Sequence, residues 1–171
     1  SKMINATREN ALLLSKLLTD LSVYGKLQRG QVELSVGKVS PHMIIDQMQR
    51  IFTSQAESKR VALIVDHDAG VKPIMTSEPH VLSILRNFMS NALQFTQPGG
   101  VIVIASKAAT DGVIFMVRDS GIGISPDLKE RIFDTKFHID NNAEHDSLQG
   151  PGLGLYISSR LATSLGATIW V

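Results

Sequence analysis

The sequence predicts an α+β fold, a two-layer sandwich in which helices lie on a mixed β-sheet. Segments with helical periodicity alternate along the chain with segments typical of strands. Residues 101–108 and 113–120 are strand-like and are joined by a tight Thr-Asp-Gly turn, which predicts a hairpin and excludes an all-parallel sheet. A chain of this length buries roughly 70% of its unfolded surface, so one core can stabilise it without covalent cross-links.

Composition excludes several classes of function. The chain of 171 residues has no Cys, which rules out disulfides, thiolate nucleophiles and Cys-ligated zinc and fits a reducing, cytoplasmic location. The formal net charge is +1 with no long basic run, so we expect no nucleic-acid partner. No apolar run approaches the ~20 residues of a membrane span. We therefore expect no membrane contact by this chain, although the full-length protein could be anchored to a membrane elsewhere.

The first half of the chain predicts two helices and two strands. Residues 3–29 have apolar side chains at intervals of mostly three and four, ending at Gly30, which is typical of an amphipathic helix that needs a partner. The alternating residues 32–36 predict a short strand. A second helix starts with Ser40 as N-cap, and Pro41 occupies its first position. Residues 61–66, which are apolar up to Asp66, predict a buried strand.

The second half begins with a helix over residues 77–96. Ser77 is its predicted cap, Pro79 lies in its first turn, and residues 97–100 end it. Its predicted apolar face comprises Val81, Ile84, Leu85, Phe88, Ala92 and Phe95. The remaining predicted elements are the hairpin, a short helix within 121–133, a polar loop at 134–150, a helix over 153–165, and a strand starting at 167–171.

The opposite face of the 77–96 helix carries amides and hydroxyls instead of the usual charges. Asn87 and Asn91 are spaced i, i+4, so both amides point the same way, although Asn is a mediocre helix former. Two interpretations are open: an ordinary solvated face, or a groove that faces a ligand. Amide oxygens bind hard cations and amide NH2 groups donate to phosphate, so the second interpretation predicts a site for a metal–phosphate pair.

Two glycine-rich motifs follow. In "DSGIGI" Asp119 ends a strand, and Gly121 and Gly123 permit close approach of the backbone. In "GPGLGL" three glycines precede a helix whose N-terminus is suited to an anion. A simple turn and a flexible loop capping a helix are the alternatives. Neither motif matches the dinucleotide fingerprint or the Walker loop.

Taken together and in this order, these motifs resemble those of the Bergerat-fold (GHKL) ATPases, the superfamily of gyrase, heat-shock chaperones, mismatch-repair ATPases and histidine kinases. "NFMSNALQFT" resembles the N box, "DSGIGI" the G1 box, "RIFDTKF" the F box and "GPGLGL" the G2 box. The resemblance covers residues 31–171 and is closest to the catalytic domain of sensor histidine kinases.

The resemblance implies that the chain binds ATP and Mg2+. It implies that Asn91 is the magnesium ligand, that Asn87 faces metal and phosphates, and that Asp119 accepts the adenine amine. Residues 134–150 would form a mobile ATP lid. Asn87 and Asn91 are the implied catalytic residues, and the implied nucleotide-binding residues are Asn87, Asn91, Gln94, Phe95, Asp119, Gly121, Gly123, Ile124, Phe133, Gly150, Gly152, Leu153, Gly154 and Leu155.

One position separates the classes within the superfamily. Members that hydrolyse ATP have Glu four residues before the metal-binding Asn, as a base for water, whereas this chain has Asn87, which cannot take a proton. The resemblance therefore implies phosphoryl transfer to a His and onward to the receiver domain of a response regulator. Kinases commonly have Lys where this chain has Gln94, which predicts weaker phosphate binding unless Arg131 or Lys136 compensates.

The first 30 residues resemble the second helix of a kinase dimerisation domain. The expected organisation is therefore 1–30 as part of a dimerisation domain and 31–171 as the catalytic domain, with a truncated C-terminal strand and a homodimer formed through the N-terminal helix. None of the five His has the context of a phospho-acceptor, so the acceptor is expected outside this chain. The alternatives are a regulatory nucleotide-binding module without kinase output, a conformational ATPase, and a serine kinase of the anti-sigma type.

Overall fold

A computed structural model describes residues 2–129, 131–133 and 153–171. The chain divides into two compact units, one formed by Ser1–Glu33 with Pro126–Val171 and the other by Leu34–Ser125. The predicted lid, residues 134–150, lies outside the described residues. Within the described part of the chain, no helix combines the length and apolar character needed to cross a membrane.

The secondary structure in the described part of the first unit is helical. It contains α1 (Lys2–Gln28), the short α4 (Pro126–Lys129) and α5 (Leu153–Ser164). α1 ends as predicted, because Gly30 adopts a left-handed φ of 63° and Gln31 N donates to Lys26 O at 2.9 Å. α1 contacts α5 through Tyr24 and Tyr156, whose ring centroids are 5.8 Å apart. The predicted strand at 167–171 is wrong, since these residues have no strand assignment and a strand requires a pairing partner.

The second unit contains two helices and five strands. In chain order these are β1 (Gly37–Val39), α2 (Pro41–Lys59), β2 (Ala62–His67), β3 (Ile74–Thr76), α3 (Glu78–Phe95), β4 (Val101–Ala109) and β5 (Gly112–Asp119). Ser40 and Ser77 are the N-cap residues of α2 and α3, as the sequence predicted, and both helices have Pro in their first two positions.

The sheet of this unit is mixed. β2 is parallel to β4, β4 is antiparallel to β5, and the two-residue turn at Thr110 and Asp111 closes the predicted hairpin. A separate two-stranded ladder joins β1 and β3, with Val39 opposite Ile74. The predicted strand at 32–36 is wrong: the strand is Gly37–Val39, because only those residues face a partner. β3 was not predicted at all.

The core of the second unit lies between the two helices and β4. α2 contributes Ile44, Ile45 and Met48, and Ile102 and Ile104 of β4 are fully buried. Residues 61–66 were predicted to form a buried strand: the strand is confirmed as β2, but its burial is wrong, because the residues of β2 are exposed or at most half-buried. α3 buries Val81, Ile84, Leu85, Met89, Ala92 and Leu93. The predicted face therefore missed Met89 and Leu93, and Phe88 and Phe95 are only half-buried.

The start of α3 carries an unusual polar pair. The Ser77 side chain is fully buried and does not cap the backbone; its hydroxyl lies 2.7 Å from His80 Nδ1, to which it donates when the ring is neutral. Burial of the ring lowers the pKa of His80 below its ordinary value of 6.5. The backbone N–H groups of His80 and Val81 donate to Ser77 O instead. The folded state thus favours the uncharged ring at the positive end of α3.

The lowered pKa of His80 predicts a pH-dependent stability. The unfolded chain binds the proton more tightly than the folded one, so this contribution is complete above pH 6.5 and is lost as the pH falls from that value through the lower pKa of the folded state. The substitution His80→Asn keeps an acceptor for the Ser77 hydroxyl but does not titrate. We expect the free energy of unfolding of the parent chain to fall more steeply than that of H80N between about pH 8 and about pH 5. Urea titrations across this range measure both slopes, and equal slopes would contradict the assignment.

Candidate functional site

The polar stripe of α3 is partly covered rather than fully solvated. Asn87, Ser90 and Asn91 are half-buried, whereas Ser83 and Gln94 are exposed. The amides of Asn87 and Asn91 are therefore partly shielded from water. This favours the second of the two interpretations of the stripe, a face directed at a ligand, because electrostatic and hydrogen-bonding contacts strengthen where water is excluded.

The C-terminal end of α3 lies directly against the loop that follows β5, residues 120–125, called here the glycine loop. A Cβ atom added at Gly121 would lie 2.7 Å from Phe95 O and 2.6 Å from Asp119 Oδ1. Real Cβ atoms do not approach other heavy atoms that closely, so only glycine fits without a shift. Gly121 N also donates to Asp119 Oδ1 at 2.8 Å, which fixes the orientation of the carboxylate. Three sequence-predicted site residues are thus brought together: Phe95, Asp119 and Gly121.

The connection between α3 and β4 is hydrogen-bonded to Ser120, the residue before Gly121. Val101 N donates to Ser120 Oγ at 2.9 Å, and Ser120 N donates to Val101 O at 3.0 Å. A Cβ at Gly100 would lie 2.7 Å from Ser120 Oγ and 2.4 Å from Thr96 Cγ2. Sequence reasoning did not single out Gly100 or Ser120. The "PGG" turn before a strand was a usable signal for Gly100, but nothing in the sequence marked Ser120.

The rest of the glycine loop is open to solvent. Gly123 adopts a left-handed φ of 72°, which favours glycine, and Ile124 is 41% exposed. Both residues are among the nucleotide-binding residues that the family resemblance implies. They follow Gly121 on the solvent side of the loop, where an approaching ligand can reach them.

The remaining predicted site residues lie in the other unit or outside the described residues. Phe133 is half-buried, and Leu153, Gly154 and Leu155 are half-buried in the first turn of α5. Gly150 and Gly152 are outside the part of the chain that the structure describes. The first-turn position of Gly154 and its neighbours agrees with the prediction that a glycine-rich segment opens a helix.

A second polar cluster, at the C-terminal end of β2, is structural. His67 Nε2 lies 2.9 Å from Asp46 Oδ1, and the His42 ring contacts the His67 ring edge-on at 4.7 Å. Asp68 accepts hydrogen bonds from the backbone N–H groups of Ala108 and Gly70, which hold the pKa of its carboxyl below its usual value of 3.8. Among the described residues, no group of three or more His, Asp or Glu side chains could hold a metal. His67 is the last residue of β2, and its ring is held there by Asp46.

Comparison with known protein families identifies one match. Residues 76–171 match the family model described as "Histidine kinase-, DNA gyrase B-, and HSP90-like ATPase". This range begins at the start of α3 and includes the glycine loop and α5.

Among characterised relatives, the chain is similar to sensor proteins. It is 30% identical to virulence sensor protein BvgS of Bordetella pertussis, over 97% of this chain and 14% of the relative. It is 28% identical to aerobic respiration control sensor protein ArcB of Escherichia coli K12, over 99% of this chain and 22% of the relative. The chain thus spans less than a quarter of the length of either relative.

Solved structures give the same result. The chain superimposes on full-length ShkA in complex with AMPPNP with a TM-score of 0.80 at 30% identity, over 96% of this chain and 34% of that protein. It superimposes on the Acinetobacter baumannii histidine kinase AdeS with a TM-score of 0.75 at 18% identity, over 99% of this chain and 76% of that one, which supports the fold alone.

The close contact at Gly121 predicts the effect of adding one methyl group. Gly121→Ala forces the Phe95 carbonyl or the Asp119 carboxylate to move, so we expect a loss of about 1–3 kcal/mol in the free energy of unfolding. Gly37→Ala is the matched control, because Gly37 has an ordinary backbone conformation and nothing within 4 Å of the added Cβ. We expect the control to change stability by less than about 1 kcal/mol. Chemical denaturation measures both, and equal effects of the two substitutions would show that the contact is not tight.

Proposed function

The chain belongs to the family of histidine kinase-, DNA gyrase B- and HSP90-like ATPases, and from this premise we propose that it is the ATP-binding catalytic domain of a sensor histidine kinase of a two-component system. The proposed reaction transfers the γ-phosphoryl group of ATP to a His nitrogen. The phosphoryl group then passes to an Asp of a response-regulator receiver domain.

The observation that carries this proposal is the contact of Gly121 with the last turn of α3. It joins the helix that presents Asn87 and Asn91 to the loop that presents Asp119, all within one compact unit. A nucleotide has an amine-bearing base at one end and charged phosphates at the other. The unit offers a carboxylate acceptor and a row of amides in an arrangement suited to those two ends.

On the base side, we propose that Asp119 accepts a hydrogen bond from the exocyclic amine of adenine. The Gly121 N–H bond to Oδ1 holds the carboxylate in position before the ligand arrives. Gly123 and Ile124 would line the base, and Phe95 would contact it from the end of α3. A carboxylate without a proton only accepts hydrogen bonds, and guanine has a carbonyl, also an acceptor, at the equivalent position. Guanine would therefore form no hydrogen bond with Asp119 there.

On the phosphate side, the donor set fits a cation that arrives with its nucleotide. Mg2+ is usually bound by one or two protein oxygens together with substrate phosphates and water, so a half-buried amide without a carboxylate cluster is sufficient. We propose that Asn91 holds Mg2+ and that Asn87 and Gln94 donate to phosphate. When bound, Mg2+ would neutralise charge on the phosphates.

The absence of a base at position 87 favours transfer over hydrolysis. Asn87 can orient a group by hydrogen bonding but cannot remove a proton from water. Catalysis by this chain would therefore consist of binding ATP, orienting its γ-phosphoryl group and limiting the access of water. The nucleophile would be an acceptor His. None of the five His of this chain has the sequence context of such an acceptor.

The proposal also covers the two parts of the chain and the proteins that would bind to them. We propose that residues 1–30 are part of a dimerisation domain and that residues 31–171 form the catalytic domain. Leu14, Leu18 and Leu21 lie three or four residues apart on α1 and are each at least 60% exposed, which is suited to a homodimer contact. The receiver domain of a response regulator would be the second protein partner.

A regulatory module that binds nucleotide without kinase output is the second candidate. Gln94 favours it, because this exposed amide stands where kinases commonly have a Lys that contacts phosphate. An amide donates a hydrogen bond without supplying charge, so the γ-phosphoryl group would be held less firmly.

The proposed metal ligand can be tested directly. We expect the chain to bind a non-hydrolysable ATP analogue more tightly with Mg2+ than without it, and we expect Asn91→Ala to remove most of that difference. Ser83→Ala is the matched control, since Ser83 lies on the same helix but is exposed and two turns before the proposed metal ligand Asn91. Calorimetry with and without Mg2+ measures each affinity. Equal affinities in the parent chain under both conditions would count against the site.

The proposed reaction is tested with γ-labelled ATP. Because the chain has neither an acceptor-like His nor a base at position 87, we expect ATP binding without self-labelling and without appreciable release of phosphate. Adding a separate dimerisation fragment that carries an acceptor His should give slow, acid-labile labelling of that fragment, since the effective concentration of a tethered partner is lost.

Two outcomes would redirect the assignment. Brisk, steady phosphate release by the chain alone would support a conformational ATPase instead. Nucleotide binding without transfer to any cognate acceptor fragment would favour the regulatory module.

A further inference from the structure

We propose that Lys59 is a positioning residue of the nucleotide site: its ammonium group holds the last turn of α3, and affinity on the adenine side of the site depends on its charge. The inference rests on the function proposed above and concerns a residue in another helix, outside the four sequence motifs.

Lys59 is the final residue of α2 and is half-buried. Its Nζ donates to the backbone carbonyl of Leu93 and, at 2.9 Å, to that of Gln94. Both acceptors belong to the last turn of α3. A single side chain from α2 thus spans two consecutive carbonyl groups at the end of the helix that carries the polar stripe.

These carbonyls need an external partner. The last four C=O groups of an α-helix cannot all be satisfied within it, and their dipoles give the C-terminus a partial negative charge. α3 has no basic residue in its own last turn, and of the described residues that follow it Thr96 alone donates its N–H to a carbonyl of α3, that of Ala92. Lys59 supplies both the donors and the positive charge that the sequence of α3 lacks.

The residue after Lys59 is hydrogen-bonded to the connection that follows α3. Arg60 adopts a left-handed φ of 59°, which ends α2 and aims its carbonyl at Gly99 N, 2.7 Å away. Ala62 N then donates to Gly100 O at 2.9 Å. The chain from Leu93 to Gly100 is therefore held at both ends by the exit of α2.

The held segment is the one that meets the base-side loop. Phe95 O lies where a Cβ at Gly121 would clash, and Gly121 N orients Asp119. If the Lys59 ammonium is removed, the final turn of α3 loses its partners, and the contact between Phe95 and Gly121 loosens with it. Asn91 lies one turn earlier, where its position is set by intrahelical bonds. Loss of the Lys59 ammonium should therefore weaken the contacts with the base and leave the Mg2+ dependence of binding unchanged.

This difference defines the experiment, which compares the full chain with Lys59→Met, Lys59→Arg and Lys59→Gln. Met keeps the aliphatic stem without charge, Arg keeps charge and donors, and Gln keeps one uncharged donor group. Lys38→Met is the control for loss of a positive charge, because Lys38 is exposed on β1. Affinity for a non-hydrolysable ATP analogue is measured by calorimetry with and without Mg2+, under conditions where circular dichroism shows each variant to be folded.

We expect K59M to weaken binding by about threefold to tenfold, equally in the presence and absence of Mg2+, so that the Mg2+ dependence is unchanged. Arg should restore most of the affinity, Gln should not, and K38M should match the parent chain. Simple loss of stability would not produce this order among folded variants.

Failure of this inference is separable from failure of the proposed function. If the parent chain does not bind the analogue, the proposed function is wrong. If the parent binds and folded K59M binds equally well, or if the loss disappears without Mg2+, Lys59 does not position the base side. If K59M does not fold, the comparison of K59R with K59Q decides, and equal affinities of that pair would overturn the proposal.

Discussion

The close approach between Gly121 and the backbone of Phe95 is the constraint on which the candidate site depends. It leaves no room for a side chain at residue 121, so the loop after β5 and the end of α3 are fixed against each other. The hydrogen bonds between Ser120 and Val101 and the tight packing at Gly100 keep the neighbouring strand ends aligned with that contact. The orientation of Asp119 follows from the same geometry, because its carboxylate is held by Gly121 N.

The polar groups of the site are mostly neutral, and this has a physical reason. A half-buried stripe of fixed charges on α3 would be costly to desolvate while the site is empty, whereas amides lose less on burial. The proposed ligand brings its own charges, which compensate each other as a metal–phosphate pair. Lys59, which holds the end of α3, comes from α2 and interacts with backbone carbonyls, so it contributes to the shape of the site without competing for the ligand.

The sequence predicted the parts of the molecule that depend on local patterns. The bounds of α3, the N-cap position of Ser77 and the β4–β5 hairpin follow from capping residues, turn chemistry and periodicity, and all three are confirmed, although the Ser77 hydroxyl does not bond to the backbone of α3. The strand at 32–36 was misplaced and β3 was missed, because a three-residue ladder is defined by its partner and not by its own sequence. Met89 and Leu93 were missed because α3 is buried over a wider arc than a single stripe. Lys59 and Ser120 act through backbone atoms of distant residues, which no motif marks.

The residues proposed to bind the base and the metal all lie between Asn87 and Ile124. The β4–β5 hairpin connects those on α3 to those on the loop after β5. The contact between Phe95 and Gly121 therefore closes a short loop, with a modest entropic cost compared with sites assembled from distant segments. A nucleotide that binds only the folded form would further stabilise this unit by mass action, by ~2.7 kcal/mol at a ligand concentration a hundred times the Kd. The same short segment would thus link the cellular level of the nucleotide to the survival of the folded domain.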